Sequence, residues 1–280
     1  MHRNTLWKLM AAVLVVGLLF AVGCAGEKKA EEKAEAPAAE APAETPAAPA
    51  EEAAPEIKTV VFATDASWPP MEFVDKDKNI VGFDIDLLNA MGAAGGFTPE
   101  FKKTAWDGIF GGLIAGKYDA ISSSVSITEE RMKTMDFSDP YFEVKQGVIV
   151  QTGSGIATAA DLAGKVVAAQ IGTTGYFAAQ KLEGIAEAKS YDDVGLAVED
   201  LYNGRVDAVL CDDAVAYDYA LQNEKYADKL ELAFVVETET KEYLGFAVQK
   251  GNQELVDLLN AALAKVKESG EYDQIMDKWF

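Results

Sequence analysis

Histidine is nearly missing from this chain of 280 residues: the one copy is His2. A chain that loses its first residues therefore has no Ser-His-Asp triad, no His-containing metal site and no His general base. Cysteine is almost as scarce, with Cys24 and Cys211 alone. If Cys24 is taken up by a modification, no intramolecular disulfide can form, and Cys211 is left as a lone thiol of the kind that packs as a small buried hydrophobe. Positive charge is also in deficit. Lys and Arg number 25 against 46 Asp and Glu, for a formal charge of −21. That balance excludes a nucleic-acid partner, which wants a basic face. The apolar run Leu9–Val22 is too short to span a bilayer comfortably.

What is present begins with an export segment. Arg3 and Lys8 supply positive charge ahead of that run, which ends in small residues. Ala21-Val22-Gly23-Cys24 resembles a lipobox, the site at which a bacterial lipoprotein is cut before its cysteine and lipidated there. Ala21 departs from the pattern, which prefers Leu, and Ala25 leaves outer-membrane sorting open. Residues 1–23 are therefore expected to be a signal peptide and Cys24 a lipid anchor. Residues 24–56 read as a tether of Ala, Glu, Pro and Lys, with Pro37, Pro42, Pro46, Pro49 and Pro55 spaced through it. Nothing there can build a core, so it is expected to be disordered and extended. The export segment contributes +2 and the tether −6, which leaves −17 for residues 57–280.

Those 224 residues are enough for one large or two small domains. They alternate strand and helix. Strands are expected at Thr59–Thr64, Phe97–Lys103 and Tyr118–Ser122, with helices at Phe83–Met91 and Trp106–Ala115 between them. This βαβαβ order implies a parallel sheet. A second round follows: strands at Gln146–Gln151, Val166–Gln170 and Ala208–Cys211, and helices at Thr174–Leu182, Val194–Tyr202 and Asp213–Gln222. One more strand, Tyr243–Gln249, precedes closing helices at Leu255–Glu268 and Tyr272–Trp279.

Residues 119–142, DAISSSVSITEERMKTMDFSDPYF, are the stretch around which the rest is organised. A strand there ends in Ser122, Ser123 and Ser124, small hydroxyls that let a ligand approach the backbone. Thr128 reads as the cap of a short helix, and Arg131 stands one turn past the strand end, where a guanidinium can grip a carboxylate with two parallel bonds. The run from Ser123 to Tyr141, S-S-x-S-I-T-x-E-R-x-x-x-x-D-F-S-x-P-Y, resembles the signature of the periplasmic amino-acid-binding proteins of ABC importers, the polar amino acid family. The resemblance covers roughly residues 57–280. It implies an α/β, two-lobed periplasmic-binding-protein fold of type II, each lobe a mostly parallel sheet flanked by helices, with two hinge crossings. We place the crossings near Glu143–Gly147 and Glu239–Gly245, lobe 1 at 57–143 plus 244–280, and lobe 2 at 146–240.

The resemblance also implies a site. Arg131 takes the ligand's α-carboxylate, helped by backbone N–H groups near Ser126 and Thr174; Thr174 sits in Gln170-Ile171-Gly172-Thr173-Thr174-Gly175, a turn that opens a helix. Asp212, after the strand Ala208–Cys211, takes the α-ammonium together with the Ser126 hydroxyl and the Ser124 carbonyl. Trp68 and Trp106 match aromatics that sandwich the ligand's aliphatic stem, though Trp106 also reads as core. The side-chain end is lined by Asp65, Trp68, Trp106, Ser123 and Gln170, with Glu72 and Asp84 near. Asp84 has two readings, the far end of a long ligand side chain or a helix start. Several relatives that take glutamine carry a Lys where Gln170 stands, and its absence leaves carboxylates without a cation. A cationic amino acid is therefore favoured, with glutamine second.

The implied partners are a free L-amino acid and an ABC permease, with the membrane reached through the lipid on Cys24. The chain is expected to be a monomer without a cofactor on the extracytoplasmic side. Two other classes stay open. Cyclohexadienyl dehydratases resemble this family closely, but their pattern carries a Glu where Gly175 stands, which argues against an enzyme. A tethered sensor or receptor is not excluded by any sequence feature.

Overall fold

The computed structural model describes residues 58–236 and 240–280. The signal peptide, Cys24, the tether and residue 239 at the start of the second crossing lie outside the described residues. Strand β1 (Lys58–Thr64) leads into three short strands, β2 (Ser67–Trp68), β3 (Glu72–Val74) and β4 (Ile80–Val81), which pair with one another. Then come α1 (Phe83–Gly95), β5 (Phe97–Lys103), α2 (Trp106–Ile114), β6 (Ala120–Ile121), α3 (Glu129–Met132) and β7 (Met135–Phe137). A crossing strand β8 (Phe142–Val144) precedes β9 (Gln146–Gln151), β10 (Val166–Gln170), α4 (Thr174–Lys181), β11 (Glu187–Tyr191), α5 (Val194–Tyr202), β12 (Ala208–Asp212), α6 (Asp213–Tyr217) and β13 (Leu230–Val236). The return is β14 (Glu242–Leu244), then β15 (Ala247–Gln249), α7 (Gln253–Glu268) and α8 (Glu271–Trp279).

Two five-stranded sheets result, in the orders β5-β1-β6-β15-β7 and β11-β10-β12-β9-β13. In each, one strand runs against the other four: β15 is antiparallel to β6 and β7, and β9 to β12 and β13. Each odd strand directly follows a crossing. The crossings themselves pair as an antiparallel ribbon, β8 with β14, through Glu242↔Val144, Tyr243↔Glu143 and Leu244↔Phe142.

The sequence explains most of these elements. The α1 helix ends at Gly96, which takes the left-handed conformation (φ 76°) that closes a helix without a Cβ penalty. Asn252 caps α7 by accepting from the Leu255 N–H at 3.2 Å. That helix buries the stripe Leu255, Leu259, Ala262, Leu263 and Val266 against α1, each large side chain contributing about 1.5–3 kcal/mol. One apolar cluster runs from Phe62, Phe83 and Phe246 at the first sheet to Ile149 and Val209 in the second and Leu201 on α5.

Two expectations are corrected. Tyr243–Gln249 is not one strand but two, β14 in the ribbon and β15 in the first sheet. Between them a Cβ at Gly245 would stand 2.8 Å from the Ile127 side chain, so the chain turns there on a glycine. Asp213–Gln222 is only half an α-helix, since Asp218–Gln222 continues as a π-turn.

Candidate functional site

The chain ends of four strands converge. Asp65 follows β1, the serine run follows β6, Gln170 closes β10 and Asp212 closes β12. Side chains beyond the carboxyl ends of sheet strands are where open α/β folds bind ligands. Here two such ends face each other. Trp68, Trp106, Ser123, Ser124, Ser126, Arg131, Thr174 and Asp212 line one small cavity of about 10 Å³, together with Thr173, which sequence reading passed over. That is room for about one water. Asp65 and Gln170 stand beside the cavity and not in its wall.

Bonds between the two halves explain how tightly it is closed. Gln170 donates Nε2 to Asp65 Oδ2 at 2.9 Å and accepts from Trp68 Nε1 through its Oε1. Arg131 donates Nη1 to the Ser126 carbonyl at 2.9 Å and Nη2 to the Gly172 carbonyl at 3.2 Å. Ser126 Oγ and Thr174 Oγ1 meet at 3.4 Å. Thr128 caps α3 by accepting from the Arg131 N–H at 3.2 Å, which fixes the backbone that carries the guanidinium. The guanidinium carbon lies 5.5 Å from the Trp106 ring centre and 5.0 Å from that of Phe110. Burial pulls Arg131 down to about 10, while the charges of Asp212 and Glu242 act to keep the proton on. It remains a cation at neutral pH.

Asp212 is 3% exposed, and its carboxyl is pushed well above the usual carboxylate range, first by burial and then by the charge of Glu242. Among the described residues no Lys or Arg forms an ion pair with it. Its protein donor is Gln146, whose Nε2 reaches Asp212 Oδ1 at 3.0 Å, Glu242 Oε2 at 3.1 Å and Thr174 Oγ1 at 3.3 Å. Neither Gln146 nor Glu242 was singled out from the sequence. Both belong to the strands at the crossings, and that position is the only signal that could have found them.

The serine run behaves differently from its expectation. Ser123 Oγ donates to Glu72 Oε1 at 3.2 Å and Ser124 Oγ to Glu72 Oε2 at 2.9 Å, while Ser122 Oγ donates to Asp84 Oδ2 at 3.2 Å. The hydroxyl protons are thus turned back into the protein. Asp84 Oδ2 also accepts from Tyr141 OH at 2.8 Å, and Asp84 makes no cap bond to α1. Asp84 does stand in the first turn of α1, where it makes no cap bond; completely buried, it braces the serine run from behind. Burial raises Asp84 to about 7, and burial together with the charge of Asp84 pushes Glu72 well above the usual range. Ser124 sits at φ 45° and Ala66 at φ 52°, two non-glycine residues in the left-handed region at neighbouring strand ends. Asp65 accepts from Ser67 Oγ at 2.7 Å, and its carboxyl is raised chiefly by burial. Cys211 is a buried thiol pushed well up by burial.

Comparison with known proteins places this geometry. The profile of bacterial extracellular solute-binding proteins, family 3, matches residues 60–280. A probable histidine-binding protein of Neisseria gonorrhoeae is 38% identical over 276 residues, covering 98% of this chain and 95% of that one. The arginine-, lysine-, histidine-binding protein ArtJ of Geobacillus stearothermophilus superposes with a TM-score of 0.73 at 41% identity, over 80% of this chain and 95% of that one. An ancestral arginine-binding protein solved with glutamine gives a TM-score of 0.73 at 42% identity, over 79% of this chain and 97% of that one. With its two sheets, its crossing ribbon and its cavity between strand ends, this chain belongs to family 3 of the bacterial extracellular solute-binding proteins.

Proposed function

We propose that this protein captures a polar amino acid, cationic by preference and glutamine second, between two closing lobes and delivers it to an ABC importer. The observation that carries the reading is the pairing of a half-buried guanidinium with a buried acid across one small cavity: Arg131 from α3, between β6 and β7 of the first sheet, and Asp212 from the second. An α-amino acid carries the matching carboxylate and ammonium. A ligand held by both ends interacts differently with open and closed forms, and that difference is what can drive closure. Lobe 1 is 57–143 with 244–280 and lobe 2 is 146–240, joined through the β8–β14 ribbon. Arg131, with Ser126 and Thr174, holds the carboxylate. Asp212 holds the ammonium, with Ser126 and Ser124. Trp68 and Trp106 flank the stem, and Asp65, Ser123 and Gln170 meet the side-chain end. Asp65 has no ion-pair partner among the described residues, which favours a cationic side chain there.

We further infer that residues 1–23 are a signal peptide, that Cys24 carries lipid, and that the tether holds a monomeric domain off a bacterial membrane beside its permease. The protein is read as a binding protein and not an enzyme, because Gly175 stands where the dehydratase pattern carries a Glu. The test is calorimetry against all twenty amino acids after unfolding and refolding have stripped any carried ligand. Arginine, lysine or histidine should bind most tightly, glutamine more weakly, and glutamate and aspartate not at all. Tightest binding to glutamate or to an apolar amino acid, or turnover of prephenate or arogenate, would overturn the reading.

A further inference from the structure

Around Asp212 the protein supplies too few donors for its own acceptors. The Gln146 amide has two N–H groups and three acceptors within reach, on Thr174, Asp212 and Glu242. Gln146 is 2% exposed, so bulk water does not reach it. Its own Oε1 is buried without a partner and lies over Gly175, where a Cβ would come within 2.7 Å. The second oxygen of Glu242, Oε1, is also buried and has no hydrogen-bond partner. Among the described residues no cation forms an ion pair with Asp212 or Glu242, and the charge of Arg131 acts on them without contact. The Arg131 guanidinium donates instead to the carbonyls of Ser126 and Gly172. Two acids that share one amide, Asp212 fully buried and Glu242 half-buried with one oxygen that has no hydrogen-bond partner, are poorly compensated, and a further donor with positive charge would relieve them.

Glu242 is on the crossing strand β14, one amide away from Asp212. The same strand is stitched to the Arg131 segment. Ile127 N–H donates to the Tyr243 carbonyl at 2.8 Å, Gly245 N–H to the Val125 carbonyl at 3.0 Å, and Ser126 bridges Leu244. A charge held at Glu242 is thereby fixed relative to both anchors of the cavity.

We propose that Glu242 is the second carboxylate of the ammonium subsite, so that a bound α-ammonium supplies the N–H donors and the charge that Asp212, Gln146 and Glu242 lack. This rests on the amino-acid-binding function above. Selection of a free primary ammonium would then depend on two acids, one from the second sheet and one from the crossing.

The test compares Glu242→Gln with wild type by calorimetry on stripped protein. The probes are L-arginine, L-lysine, L-histidine and L-glutamine, each beside its analogue in which hydrogen replaces the α-amino group. Glu242→Gln should weaken the amino acids about 10- to 100-fold and leave any analogue binding within about threefold. The glutamine side chain adds donors to a donor-poor site, so the ligand-free variant should melt no lower than wild type. Glu242→Asp, which keeps the charge, should recover part of the loss. Equal weakening of amino acids and analogues would make Glu242 a merely structural residue and overturn the proposal, as would unchanged binding in Glu242→Gln. Wild-type protein that binds none of the twenty amino acids would overturn the function itself, and this proposal with it.

Discussion

Replacing Asp212 by asparagine should move stability and binding in opposite directions. The carboxylate is 3% exposed, its folded value lies well above the usual range, and its causes are burial first and Glu242 second. A group raised on folding stabilises the protein below its unfolded value of about 4, and that contribution is lost as pH rises through the folded value. Above its unfolded value Asp212 is therefore a burden on the ligand-free fold. Asparagine keeps an oxygen for the Gln146 amide, now 3.0 Å away, and removes the charge. The ligand-free variant should melt higher than wild type at pH 7.5, with a flatter profile from about pH 4 upward. Binding should suffer. A ligand ammonium left buried without its partner costs about 3–5 kcal/mol, or roughly 150- to 4,000-fold in affinity. The assay is thermal unfolding of stripped protein with and without 1,000-fold excess arginine, backed by calorimetry. An Asp212→Asn protein that binds within about fivefold of wild type, or that melts lower without ligand, would refute the reasoning.

Other consequences are as direct. Asp84 is fully buried and raised to about 7, so its contribution to stability should fade as pH climbs from about 4 to 7; Asp84→Asn should remove that slope in urea titrations at successive pH values, and an unchanged slope would contradict the assignment. Gly175→Ala should lower stability by about 1–3 kcal/mol and weaken amino-acid binding, since its Cβ would press on Gln146 Oε1 at 2.7 Å and the Leu210 carbonyl at 3.0 Å; a variant as stable as wild type that still binds normally would show that the amide clamp is slack. Cys211 should resist thiol reagents until the protein unfolds, because its thiol is buried and pushed up, and stoichiometric labelling of the native protein would disagree.

Much of the fold is legible where an apolar run is bracketed by turn residues. The limits of β5, β9, β10 and α5 agree residue for residue with the sequence reading. What escaped are elements whose reason lies elsewhere in the chain. The β11 strand, EAKSY, has no apolar period and exists because it pairs in parallel with β10 at the sheet edge. The break at Gly245 is dictated by Ile127, far away in sequence. The cavity wall was largely legible because its residues sit in recognisable motifs at strand ends. Gln146 and Glu242 were not, since their contact joins positions 96 residues apart and no local pattern marks either. The serine run was half legible: its place at a strand end is as read, but nothing local reveals that two buried acids behind it take its hydroxyl protons.

The placement of β15 has a consequence for how the chain reaches this structure. The second sheet is assembled from one unbroken stretch, Gln146 to Val236, and holds every strand it needs once that stretch is made. The first sheet cannot be completed until Ala247–Gln249 arrive to fill the slot between β6 and β7. Until then both of those strands present bare edges, the form of sheet most prone to pair with the wrong chain. The half that begins first therefore finishes last, and its closure waits on pairings of long sequence separation, which are the slow ones to form. A chain cut after Val236 should keep a foldable second half attached to a first half that aggregates.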